Sequence, residues 1–93
     1  MITPAESPQI EPEIRNFIAQ NLLYSADGFP YADNASLLRE GVIDSLGVVE
    51  LVEFAQKRFG IKVDQRDVVP ENFGSVAQLS AYVRRKLSAA ASG

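Results

Sequence analysis

Apolar residues recur at three- and four-residue spacing in three stretches of this chain, and each stretch predicts an amphipathic helix. In the first, Ile14, Phe17, Ile18 and Leu22 form one stripe over about residues 11–23, with Pro12 near the start, where proline is tolerated. In the second, Val48, Leu51, Val52, Ala55 and Phe59 form a core stripe over residues 45–59, which Gly60 closes. In the third, Val76, Leu79, Val83 and Leu87 share a face over residues 75–88, and Ser75 followed three positions later by Gln78 has the capping-box pattern. Arg84, Arg85 and Lys86 fall in the last turns of that third helix, where positive charge complements the negative end of the helix dipole.

The connections carry their own signals. Periodicity lapses from Tyr24 to Asp44 through Asp27, Gly28, Phe29, Pro30, Asp33 and Asn34, a span long enough that something must tie it down. The candidate anchors are Phe29, Tyr31, Leu37, Leu38, Val42 and Ile43, with Asn34 as a cap for a single helical turn ending at Gly41. After Gly60, Ile61 and Val63 are expected to be buried, and Asp64 starts a short helix over about residues 64–69 that Pro70 ends. The fold class that follows is all-α, a small antiparallel bundle of three main helices and one short one. One carrier-sized domain is expected over residues 11–88, with a flexible lead at 1–10 and a flexible tail at 89–93.

The junction that opens the second helix holds the candidate chemistry. Asp44 is a strong N-cap residue, so Ser45 falls at the first helical position, where its hydroxyl is not needed for capping. On the side of the helix away from the core stripe, Leu46, Val49, Glu50, Glu53 and Lys57 mix exposed apolar groups with charge, a face suited to a transient partner. Glu40, Asp44, Glu50 and Glu53 make the neighbourhood of Ser45 acidic, so docking there should weaken as salt rises.

Composition narrows the function. The chain has 93 residues, room for one core, and neither cysteine nor histidine, which removes disulfides, thiolate nucleophiles, the usual zinc ligands and the commonest general base. No glycine-rich phosphate loop or clustered carboxylates compensate, and the segment from Asp27 to Asn34 lacks the ligand pattern of a calcium loop, so neither an enzyme nor a metal site is expected. A net charge of −3 argues against nucleic acid as a partner. No apolar run is long enough to span a membrane and MITPAESP does not resemble a secretory signal, so a cytoplasmic monomer is expected.

Asp44-Ser45-Leu46, set in GVIDSLGVVELVEFAQKRFGIKV, resembles the acyl carrier protein family, whose serine at this helix carries 4'-phosphopantetheine. The likeness extends beyond the tripeptide to the preceding Val42-Ile43 pair and to Glu50-Leu51, Phe59-Gly60 and Ile61, and the order of helices and loops also matches the family's. The resemblance implies that a phosphopantetheinyl transferase attaches the group to Ser45, and that the arm's thiol then holds an acyl group as a thioester. It also implies docking through Asp44, Leu46, Val49, Glu50 and Glu53, with acyl or aminoacyl ligases and acyltransferases or synthases as further partners. Gln56 and Lys57 stand where fatty-acid carriers are often acidic, and Glu53 where they are commonly apolar, which implies a specialised discrete carrier. An aminoacyl carrier is the alternative within the family, and an unmodified helical adaptor acting by contact alone is the alternative outside it.

Overall fold

The first stripe forms α1, Ile10–Asn21, whose inner face is Ile10, Ile14, Ile18 and Ala19. The second forms α2, Ser45–Phe59, burying Leu51, Ala55 and Phe59. A 3-10 turn at Gln65–Asp67 and a one-turn helix α3, Pro70–Phe73, lead into α4, Val76–Ser92. The computed structural model describes residues 10–92, with side chains through residue 89. The lead expected at residues 1–10 therefore lies, apart from Ile10, outside the described residues.

The packing centres on α4, against which α1, α2 and α3 all lie. Val76, Leu79 and Val83 are fully enclosed and meet Ile14 and Ile18 of α1 and Leu51 and Ala55 of α2 in one apolar core. Burial of this kind contributes roughly 25 cal/mol per Å² of apolar surface, which makes the core the main stabilising element. Phe17 of α1 stacks on Phe54 of α2 with ring centroids 4.3 Å apart, a contact that the second stripe did not include. Val48 and Val52, read as core from the sequence, are only half-buried and pack on the core's edge.

The long connection is anchored, though not by all the expected residues. Leu37 is fully buried, its N–H donates to the Gly74 carbonyl at 2.9 Å, and its own carbonyl accepts from Val42 N–H at 2.8 Å. Ala77 N–H donates to the Asp33 carbonyl at 2.8 Å, and the Asp33 carboxylate takes two hydrogen bonds from Arg15, each 2.7 Å. Both ends of the loop's middle are thus stitched to the start of α4 and to α1. Val42 and Ile43 are buried as expected, whereas Leu38 is 64% exposed. The turn before Gly41 is capped by Ser36, whose Oγ accepts from Arg39 N–H at 3.1 Å, not by Asn34, and Gly41 ends it at φ 74°.

Two local readings change for identifiable reasons. Pro70 does not end the short helix but starts α3, since its fixed φ and missing N–H suit a first helical position, and Val69 before it is extended (φ −135°, ψ 160°). Asp64 does cap as expected, accepting from Arg66 N–H, but only the 3-10 turn follows it. The last helix continues through Ser92, four residues beyond the expected end, so Arg84 to Lys86 lie in its middle. There Arg84 donates to both oxygens of Glu11 at 2.7 Å, and Arg85 and Lys86 lie over the Tyr82 ring, which replaces the dipole account of their charge.

Candidate functional site

The site is built by the start of α2. Asp44 is extended, its Oδ1 accepts from Gly47 N–H at 2.9 Å and its carbonyl accepts from Val48 N–H at 2.9 Å, so the cap expected from sequence is formed. Gly47 is buried, and a Cβ there would stand 3.1 Å from Ile43 Cβ. That close approach seats the first turn on the buried Val42-Ile43 pair and leaves Ser45 on the opposite, exposed side. The Ser45 hydroxyl makes no hydrogen bond among the described residues, and the amides of the first helical turn beside it favour a negative group.

At roughly 100° per residue, Ser45, Val49, Glu53, Leu46, Lys57 and Glu50 fall within an arc of about 140°, clear of the buried Leu51-Ala55-Phe59 stripe. The fold therefore gathers them on one side of α2. Leu46 is 73% and Val49 53% exposed, and Asp44, Glu50 and Glu53 are open to solvent. Glu50 and Glu53 enter no ion pair among the described residues, in contrast to Glu11, Glu13, Asp33 and Asp64, which are paired to arginines. Carboxylates without an ion-pair partner among the described residues thus stand on the same side of α2 as Ser45. Gln56, by contrast, serves the framework, because its Oε1 accepts from Val63 N–H at 2.9 Å and fastens the segment after α2.

Among the grooves along α2, two lie near its start. One, of about 190 Å³, is almost wholly apolar and is lined by Leu38, Ile43, Val48, Val68, Val69 and Phe73 among others, between α2 and α3. The other, of about 310 Å³, is more polar and is bordered by Tyr24, Asp44, Leu46 and Glu50 at the end of α1. Sequence reasoning did not bring Leu38, Val68, Val69 or Tyr24 to the site. The first three sit in irregular segments where no periodicity reports a shared surface, and Tyr24 lies 21 positions before Ser45. What the arrangement offers chemically is an accessible primary alcohol with no histidine anywhere in the chain to activate it, which suits a group that another enzyme modifies.

The shifted titrating groups belong to the framework. The guanidinium of Arg84 holds Glu11 below the usual carboxylate range, and Arg58, donating to both Glu13 oxygens at 3.0 and 2.6 Å, does the same for Glu13. Burial, reinforced by its hydrogen bond to Asp67, pushes the Tyr82 phenol up to about 12.

Compared with known families, residues 12–83 match the model described as "Phosphopantetheine attachment site", more than three quarters of the chain. This chain belongs to that family. It is a carrier protein with covalently attached 4'-phosphopantetheine, not a catalyst. It is similar to the acyl carrier protein of Thermotoga maritima, at 29% identity over 83 residues, 89% of this chain and 98% of that one. Among solved structures it is similar to a chain in "Crystal structure of FAD-dependent dehydrogenase", with a TM-score of 0.64, 34% identity, and coverage of 74% of this chain and 96% of that one. The structural likeness agrees with a small all-helical bundle. No helix among the described residues is long and apolar enough to cross a membrane.

Proposed function

We propose that Ser45 is the residue that carries 4'-phosphopantetheine, and that the carrier delivers an acyl group between enzymes that dock on Asp44, Leu46, Val49, Glu50 and Glu53. The observation that carries this reading is the state of Ser45: exposed, at the first position of a capped helix, with a hydroxyl free of hydrogen bonds among the described residues. In the loading step the Ser45 oxygen bonds to the phosphorus of coenzyme A's phosphopantetheine, the hydroxyl proton is lost to the transferase, and the adenosine bisphosphate leaves. The attached arm supplies a thiol on which an acyl group is held as a thioester. The protein's own part is to present the phosphodiester at a helix start that favours negative charge, and to offer an acidic and apolar landing face. Cargo then reaches successive active sites at high effective concentration without release.

The apolar groove beside Val48 and Phe73 supports an acyl cargo over an aminoacyl one, because it offers no acidic side chain to an α-ammonium group. The likeness to a chain in "Crystal structure of FAD-dependent dehydrogenase" supports adding a flavin-dependent dehydrogenase to the ligases, acyltransferases and synthases proposed as partners. Residues 11–88 are taken as the carrier domain, working as a monomer in the cytoplasm.

The test is intact mass after incubation with coenzyme A, magnesium and a phosphopantetheinyl transferase. Wild type should gain one phosphopantetheinyl unit and Ser45→Ala none. Modification of Ser45→Ala would move the site to another serine, Ser36 or Ser75 first.

A further inference from the structure

Of the five aspartates in the chain, four have their carboxylates engaged. Asp33 takes two hydrogen bonds from Arg15, Asp44 caps α2 at Gly47 N–H, Asp64 caps the 3-10 turn at Arg66 N–H, and Asp67 accepts from the Tyr82 hydroxyl. Asp27 is the exception. It is exposed, and its carboxylate enters no hydrogen bond or ion pair among the described residues. It is also the one aspartate followed by a glycine. Gly28 turns the chain at φ 90°, a Cβ there would meet nothing within 4 Å, and its N–H donates no hydrogen bond among the described residues. A backbone N–H without a protein partner is left to solvent, so a free carboxylate and a free amide stand side by side at the surface.

That pair has a chemistry of its own. Covalent geometry lets the side-chain carbon of an aspartate and the nitrogen of the next residue close a five-membered ring. Two things ordinarily hinder the closure: a side chain on the next residue crowds the nitrogen, or the fold holds the carboxylate and the amide in hydrogen bonds. Neither operates at Asp27-Gly28. We propose that Asp27 is a site of spontaneous isomerisation to isoaspartate. The Gly28 nitrogen attacks Cγ of the protonated carboxyl group, the N–Cγ bond forms, the Cγ–OH bond breaks, and the hydroxyl leaves with the amide proton as water. Water then adds to the main-chain carbonyl carbon of the succinimide and breaks its bond to nitrogen, which leaves Gly28 linked through Cγ and frees an α-carboxylate. Nothing is oxidised or reduced, and the mass is unchanged. The main chain gains one methylene ahead of the points where Asp33 is held by Arg15 and Ala77, so the anchored part of the loop and the bundle keep their packing. This modification is independent of the loading of Ser45.

The experiment ages the folded, unmodified protein at physiological temperature in heavy-oxygen water. Beside it is aged the isolated peptide of residues 16–39, the fragment that trypsin releases by cutting after Arg15 and Arg39. After digestion in ordinary water, electron-transfer fragmentation should find isoaspartate and solvent oxygen at residue 27, with Asp33 unlabelled. Because the reaction needs no local opening, the folded protein should convert within about five-fold of the peptide's rate. Asp27→Glu keeps the charge but would have to close a six-membered ring, so it should unfold at the wild-type temperature and show no isomer at that position. Conversion in the folded protein slower than that margin, or label arising at Asp33 before residue 27, would overturn the proposal. Because the reading needs no phosphopantetheine, it can fail while Ser45 is loaded normally, and loading can fail while Asp27 still isomerises.

Discussion

Tyr82 shows how one side chain holds two elements together. Its hydroxyl donates to Asp67 Oδ2 at 2.8 Å, Asn72 Nδ2 donates to the Asp67 carbonyl at 2.9 Å, and Arg85 donates to Asn72 Oδ1 at 2.9 Å, so the 3-10 turn and α3 are latched to α4. The ring is 3% exposed and meets Phe73 at 5.5 Å. Tyr82→Phe keeps that packing and loses only the bond to a carboxylate, so it should cost about 1–2 kcal/mol in urea unfolding at neutral pH. The pH dependence has a definite sign. With the native phenol raised to about 12 from 10.0, an unfolded chain releases this proton first, so the contribution is full below pH 10 and is lost as pH rises towards 12. The wild type should therefore lose stability more steeply over that range than Tyr82→Phe, and parallel curves would contradict the assigned shift.

At the scale of elements, the sequence was legible wherever a helix has a long periodic face and a cap. Asp44 and Ser75 both cap as their patterns predict, Ser75 Oγ accepting from Gln78 N–H at 3.1 Å, and Gly60 closes α2 at φ 69°. The stretch from Val63 to Gly74 was harder, because a 3-10 turn and a four-residue helix are too short to show a period. Pro70 is the clearest case: a proline can stop a helix or open one, and only the chain's path decides which. The loop from Tyr24 to Asp44 was legible as needing anchors, but Leu37 and Leu38 are indistinguishable in sequence and take opposite fates. The pairing of Leu37 N–H with the Gly74 carbonyl is a long-range contact that no local pattern encodes. Gly74 itself marks the tightest point, since a Cβ there would collide with the Pro70 carbonyl oxygen. Gly74→Ala should therefore destabilise the protein by about 1–3 kcal/mol and loosen α3 first, seen as faster amide exchange at Phe73 and Gly74. Unchanged stability would show that α3 yields without cost.

For the whole molecule, arginine pairs fasten α1 to three other parts of the chain: Arg15 to the loop at Asp33, Arg58 of α2 to Glu13, and Arg84 of α4 to Glu11. These pairs are partly solvated, so each adds little alone, and the enclosed core carries the stability. The two glutamate pairs do set the acid limb. Glu11 and Glu13 are held below the ordinary value of 4.5, so their contribution is present above that pH and is lost as pH falls through the lowered native values. The double variant Glu11→Gln, Glu13→Gln should be less stable at neutral pH and should show a flatter decline into acid by urea midpoint. An equally steep decline would assign the acid limb to other groups. The same distribution of charge separates framework from function: Glu11 and Glu13, which fasten α1, are paired to arginines, whereas Glu50 and Glu53 near Ser45 enter no ion pair among the described residues. The central claim, that this face presents an arm attached at Ser45, has a direct test in the sequence itself. Trypsin cuts after Arg39 and Lys57, and the fragment of residues 40–57 contains Ser45 as its single hydroxyl-bearing residue. After loading with coenzyme A and a phosphopantetheinyl transferase, peptide mass mapping should find the phosphopantetheinyl group on that fragment alone. Its appearance on the fragment carrying Ser36 or Ser75, with 40–57 unmodified, would contradict the account.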